Sequence, residues 1–260
     1  MNSPSNEVLR ATADGVCTIT LNRPEAMNAI TTSLAAALGE ALSEGAANAD
    51  VIVIEGAGAN FCAGGDFNHL QSVRSDPAAL RALFETFSTT CATIAELEVP
   101  VIASVRGVAM AGGFELMQAC DICLVDEDAQ IADNHSNFAM VPGGGGTQRL
   151  TQLVGRQRAL GLILTGSRIG GRAAVEWGLA YSAHPPNQLA AATAGLARAL
   201  ANKDRATLAK TKRLIRGGLE HRLATGLEAE IEVVLEHLGS ARAAAGIGAF
   251  IGGKREKETG

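Results

Sequence analysis

Hydrophobic and polar positions alternate at the start of the chain and then change period. Residues 7–10 and 16–21 alternate toward apolar around Asp14-Gly15, which predicts a β-hairpin turning there. Over residues 31–44 the apolar positions recur at helical spacing, with Thr32 or Ser33 available as a cap. Val51-Ile52-Val53-Ile54 is a β-branched run suited to a buried strand. Residues 78–97 predict a long helix, opened by Pro77 and stopped before Pro100. Residues 101–105 and 122–125 read as further buried strands, with a short helix over 113–119 between them. This strand–helix repetition predicts an α/β fold with largely parallel sheets.

Helical periodicity then takes over, at 147–153, 157–164, 171–177 and 188–201. From Lys203 to Leu238 the pattern stays helical, with Gly217-Gly218 as a break. The polar end from Gly252 to Gly260 is expected to fray. No low-complexity linker interrupts the chain, so residues 1–200 are expected as a functional core and 201–260 as a helical appendage.

Composition changes this picture little. The chain has 260 residues, 47% of them hydrophobic and 19% charged, enough apolar material for one large core. A formal charge of -5 argues against a nucleic-acid binder, which would present a basic face. The N-terminus lacks the charged-then-apolar order of a signal peptide, and no run approaches the ~18 apolar residues of a membrane span. A cytoplasmic protein without membrane association is expected. Cys120 and Cys123 have C-x-x-C spacing, but they lie in an apolar strand-like run with no second ligand pair. Buried, reduced thiols and no metal are the expectation.

Three segments combine glycine with chemistry: 53–67, containing Phe61-Cys62-Ala63-Gly64-Gly65-Asp66-Phe67; 107–116, containing Ala111-Gly112-Gly113-Phe114-Glu115; and 141–150, beginning Val141-Pro142-Gly143-Gly144-Gly145-Gly146. A strand that ends in small residues and opens a helix leaves backbone N–H groups unpaired at the positive end of the helix dipole. Two such ends that converge can hold an oxyanion, and glycine lets the ligand approach. None of the segments matches a Walker motif or a dinucleotide fingerprint. On these residues alone the reading stops at an anion site.

The stretch Thr20 to Ala29, the FCAGGDF and AMAGGFELMQACD segments, and PGGGGTQRLTQLVG occur in order and at family spacing. Together they resemble the crotonase (enoyl-CoA hydratase/isomerase) superfamily. The resemblance implies a spiral of ββα units and a C-terminal helical region, 201–260, that builds a homotrimer or a dimer of trimers. It implies an acyl-coenzyme A thioester as substrate, with coenzyme A arriving as part of that substrate and no permanently bound cofactor. It also implies that the amides of Ala63 and Gly112 bind the thioester oxygen. The adenine is expected near Ala26, Ala63 and Asp66, and the 3′-phosphate near Lys254 or Arg255.

Hydratases of the superfamily use two glutamates. Glu115 falls on the first position, where apolar neighbours would raise its pKa. The second position, counted back from Pro142, holds His135, whose imidazole can keep or give a proton near neutral pH. Asp133 or Asn137 can fix its tautomer. A Glu–His pair suits addition of water to a 2-enoyl thioester, or hydrolytic C–C cleavage of a β-dicarbonyl by histidine-activated water. Isomerases dependent on a glutamate at the second position, and enzymes with an aspartate in the Pro-Gly loop, do not fit the pattern. The superfamily also contains RNA-binding members, and Lys203 to Arg216 is basic, but a solvated helix face accounts for it better under the net negative charge; a homologue that binds acyl-CoA without turnover is the remaining alternative.

Overall fold

The computed structural model describes residues 6–219 and 223–258, with residues 250–258 described by backbone alone. The chain divides into two compact units, one ending at Arg205 and the other beginning at Ala206.

In the first unit, β1 (Val8–Ala13) pairs antiparallel with β2 (Val16–Leu21), turning through Asp14 and Gly15, both at positive φ. β3 (Val51–Gly56), β4 (Val101–Val105), β6 (Ile122–Asp126) and β8 (Ser182–His184) then add parallel, in the order β1-β2-β3-β4-β6-β8. Strict alternation divides β3 between two layers. Ile52 and Ile54 join the cluster containing Leu34, Leu38 and Leu42 of α1 (Thr32–Asn48), while Val51 and Val53 join Leu189 and Ala197 of α8 (Leu189–Ala201). A sheet covered on both faces explains why β3 and β4 read as unbroken apolar runs.

α1 is capped by Thr31 and not by Thr32 or Ser33 as expected: Thr31 Oγ1 accepts the Leu34 amide at 3.0 Å. α3 (Pro77–Glu96) opens in the same way on Asp76, whose Oδ1 accepts the Ala78 amide at 2.9 Å. A second, two-stranded parallel sheet pairs β5 (Val108–Met110) with β7 (Gln130–Ala132). These short strands end at α4 (Gly112–Ala119) and at a 3-10 turn over His135–Phe138. Further along lie α5 (Gly146–Val154), α6 (Arg156–Thr165) and α7 (Gly171–Glu176).

All five cysteines are buried and free of disulfides. The Cys120 and Cys123 thiols donate to the α4 carbonyls of Leu116 (3.4 Å) and Met117 (3.1 Å). Among the described residues there is no cluster of metal-binding side chains, and no helix is long and apolar enough to cross a membrane.

The second unit is helical, with α9 (Arg205–Gly217) running into it, then α10 (Leu223–Leu238) and α11 (Ala241–Glu258). The polar end expected to fray is instead helical to Glu258. Within this unit Lys210 pairs with Glu236 at 3.0 Å, so part of the basic run is matched by acid on α10.

Candidate active site

The first unit contains a cavity of about 840 Å³, within the range of small-molecule sites. Ala26, Ala63, Gly65, Asp66, Gly112, Glu115 and His135 all line it. Its walls are mainly apolar: Phe67 and Leu70 of α2 (Phe67–Val73), Leu83, Phe84 and Phe87 of α3, and Phe138 and Met140. Phe67 and Phe138 meet edge to face with ring centroids 5.1 Å apart.

Two backbone turns meet in this cavity. After β5, Ala111 takes φ 47° and ψ -119°, a costly conformation for a residue with a Cβ, and this swings the chain into α4. Ala111 is held there because its amide donates to Ala132 (2.9 Å) and its carbonyl accepts from Glu115 (2.9 Å). Gly112 thereby becomes the first residue of α4, where an amide has no acceptor inside the helix. The facing turn is Cys62–Gly65. Gly64, at φ 103°, lies so near Ala111 and Gly112 that a side chain there would meet the Ala111 Cβ at 2.8 Å and the Gly112 nitrogen at 3.3 Å.

The structure corrects the assignment of the first oxyanion donor. The Ala63 amide is taken by the Met27 carbonyl at 3.0 Å. Three residues on, Ile30 bridges this segment: its amide donates to Gly64 (2.7 Å) and its carbonyl accepts from Asp66 (2.9 Å). Extended backbone alternates its hydrogen-bonding direction, so the Gly65 amide points away from Ile30 and has no protein acceptor among the described residues. Gly65 and Gly112 thus each bring to the cavity an amide with no protein acceptor among the described residues.

Gly113 must be glycine because a Cβ there would run into the Cys62 carbonyl. Gly113→Ala is expected to destabilise the protein by about 1–3 kcal/mol through overpacking. A thermal melt indistinguishable from wild type would show that the two turns are not so tightly joined.

Glu115, one turn into α4, is 2% exposed. Its Oε1 accepts the amides of Gly144 (2.8 Å) and Gly146 (2.9 Å) from the Pro-Gly loop. Arg149 closes the loop by donating to the Gly144 carbonyl at 2.7 Å. Phe84 and Phe87 press on the loop, leaving no room for side chains at Gly143 and Gly144. Burial raises the Glu115 pKa and the Asp133 charge adds to this; the two amides and the charge of His135 oppose it but do not cancel it.

His135 opens the 3-10 turn, and its Nδ1 lies 2.6 Å from Oδ1 of the fully buried Asp133. Burial works against a charged imidazole, but the hydrogen bond and charge of Asp133, with the charge of Glu115, raise the His135 pKa overall. Of the two orienting residues expected from the sequence, Asp133 is the one in contact. Asn137 turns away and donates to the Gly166 carbonyl at 3.2 Å.

Asp66 sits at the cavity rim with its carboxylate engaged. Oδ1 caps α2 by accepting from Asn68 and His69, both at 3.0 Å, and Oδ2 pairs with Arg23 at 2.9 Å. Partial desolvation is outweighed by these donors, and the Asp66 pKa is lowered. Arg23 also donates to Ala29 at 2.6 Å and pairs with Glu7 at 3.2 Å, tying the Ala26–Met27 turn to this rim. Sequence reasoning missed this part of Arg23, although an arginine between an asparagine and a proline was visible. The side chains of Lys254 and Arg255 lie outside the described residues.

Comparison with known proteins agrees with this geometry. The family model described as enoyl-CoA hydratase/isomerase matches residues 11–258. The chain is 32% identical to 1,2-epoxyphenylacetyl-CoA isomerase of Escherichia coli, over 97% of this chain and 98% of that protein. It is 31% identical to mitochondrial enoyl-CoA hydratase of Pongo abelii, covering 90% and 80% respectively. The crystal structure of enoyl-CoA hydratase from Bacillus anthracis superposes with a TM-score of 0.90 at 31% identity, covering 94% of this chain and 96% of that one. With its α/β core, its helical C-terminal region and these matches, the chain belongs to the enoyl-CoA hydratase/isomerase family and has the crotonase fold.

Proposed function

We propose that this protein adds water across the 2,3 double bond of a 2-enoyl-coenzyme A. The reading rests on one juxtaposition: two free amides, a buried carboxylate and an imidazole line the same apolar cavity. Glu115 takes a proton from water as the oxygen bonds to C3. The negative charge displaced onto the thioester oxygen is met by the Gly65 and Gly112 amides, and His135 delivers a proton to C2. The proton affinities suit this division. A carboxylate whose pKa is raised is a stronger base, and an imidazole held by Asp133 keeps its proton to higher pH.

Coenzyme A would enter past Ala26 and Asp66, with the Asp66 carboxylate already engaged by Arg23 and the first amides of α2. Lys254 is proposed to meet the 3′-phosphate. A homotrimer or dimer of trimers is proposed through the second unit, where Leu223, Leu227, Ile231, Val234 and Leu238 form an exposed stripe along α10.

A second reading has a specific observation behind it. An imidazole backed by a buried carboxylate can also activate water for C–C cleavage of a β-dicarbonyl thioester. Crotonyl-CoA, a longer 2-enoyl-CoA and a cyclic β-diketone thioester, each incubated with the protein in deuterated water, distinguish the two. Hydration predicts loss of the conjugated enone with deuterium at C2. Cleavage of the diketone with both enoyl thioesters untouched would replace the first reading by the second. His135→Ala is expected to lower the rate by ~10²–10⁴. An unchanged rate would mean the imidazole takes no part in proton transfer.

A further inference from the structure

Asp133 is a fully buried carboxylate whose single protein partner, among the described residues, is His135. It caps no helix and receives no backbone amide there. Its second oxygen, Oδ2, is buried without a hydrogen bond. That oxygen lies 3.1 Å from the space a Cβ on Gly146 would occupy, and Glu115 Oε1 lies 3.0 Å from the same space. Asp133 thus neighbours both groups: one oxygen bonds the His135 ring and the other lies beside the same Gly146 position as Glu115. A carboxylate removed from water needs a proton or a cation as partner. The partner within reach is the His135 ring.

We propose that Asp133 is a positioning residue, which holds the His135 ring with its protonated Nδ1 turned inward and its Nε2 left for the acyl group, and which keeps that ring cationic while Glu115 is ionised. The proposal rests on the reading of His135 as the acid that protonates C2. It explains a difficulty in the arrangement. A histidine beside one catalytic carboxylate could sit in either tautomer and ring orientation, and only one of these presents an N–H to the substrate. A buried carboxylate on Nδ1 fixes the orientation, and by favouring the imidazolium it keeps a proton on Nε2 as well, where a neutral ring would hold its one proton on Nδ1. A Cβ at Gly146 would crowd both carboxylates, at 3.0 Å from Glu115 Oε1 and 3.1 Å from Asp133 Oδ2.

The charges acting on the ring are those of Asp133 and Glu115. The turn carrying it also packs on α6, which bears Arg156 and Arg158, and its Phe138 meets Phe67 of α2, which bears His69 and Arg74.

The test begins with a readout that needs no turnover. In the full-length protein labelled with ¹⁵N-histidine, the His135 signals, identified by their loss in His135→Ala, are followed against pH. The wild-type ring is expected to carry a strongly hydrogen-bonded Nδ1 proton and to titrate above an ordinary histidine. Asp133→Asn should lower that midpoint by about one pH unit or more and remove the bonded-proton signal. Asp133→Ala, which leaves no buried amide to orient, should do the same and serves if the asparagine variant folds poorly. A midpoint unmoved in both variants overturns the proposal.

A kinetic arm separates positioning from a merely structural role. In the wild-type background, Asp133→Asn should lower kcat above the new midpoint, by about tenfold for each pH unit that the midpoint falls, with KM little changed. In a His135→Ala background the same change should leave the remaining rate unaltered, because no ring is left for Asp133 to hold. Loss of rate in both backgrounds overturns the proposal. A protein with the expected titration but no action on any enoyl thioester would leave Asp133 with its role toward the ring and remove the hydratase reading instead.

Discussion

Glu115→Gln is expected to lower turnover by ~10²–10⁴ while acyl-CoA binding stays close to wild type. The substitution isolates the proton. Glu115 uses Oε1 to accept the Gly144 and Gly146 amides, at 2.8 and 2.9 Å, and a glutamine carbonyl can accept both in its place. The Pro-Gly loop therefore keeps its anchor, and Phe84 and Phe87 keep the surface they pack on. What disappears is the base. Its raised pKa also fixes the sign of the pH dependence. The ionised form is lost as pH falls through a value above that of an ordinary glutamate, so the acid limb of the wild-type profile should lie on the neutral side of the usual carboxylate range. The residual rate of the variant should lack that limb. Steady-state rates against pH, with Kd for an unreactive acyl-CoA analogue, check both parts. Full activity in Glu115→Gln would remove the carboxylate from the mechanism, and lost binding would make it a structural anchor.

Much of this site could be read from the residues because its logic is local. Glu115 follows Gly112 by one helical turn, and His135 precedes Pro142 at a fixed spacing, so sequence order alone places both near the glycine turns. The β3 and β4 runs and the α3 boundaries were legible for the same reason: β-branched runs and Pro77 act within a few positions. The amide donor was not legible. Ala63 and Gly65 are both small, both near Gly64, and equally suited to a turn. Their difference is made by Met27 and Ile30, more than thirty positions earlier, which take up one face of the segment's backbone. The choice between Asp133 and Asn137 was hidden for a related reason. Both are within two residues of His135, and only the end of β7 on one side and the Gly166 turn on the other send them in different directions. In each case the missing information is a hydrogen-bond partner from a distant strand or turn.

That correction leads to an experiment on a single N–H. Gly65→Ala should leave activity near wild type, since nothing lies within 4 Å of a Cβ there and the amide is retained. Gly65→Pro should lower kcat by ~10²–10³, about 2.7–4 kcal/mol, the usual loss when one oxyanion donor is removed. Proline takes away an N–H that no carbonyl in the described residues accepts, so the bridge made by the neighbouring Gly64 carbonyl and Asp66 amide to Ile30 should survive. Circular dichroism and the melting temperature guard against a folding artefact. The Ala63 position supplies the contrast: its amide supports the Met27 carbonyl at 3.0 Å, so Ala63→Pro should act first on stability. The two sites thus predict opposite orders of damage, catalysis before fold at Gly65 and fold before catalysis at Ala63. If Gly65→Pro is folded and fully active, the thioester oxygen is not held by that amide, and the role of the Cys62–Gly65 turn reduces to packing against α4.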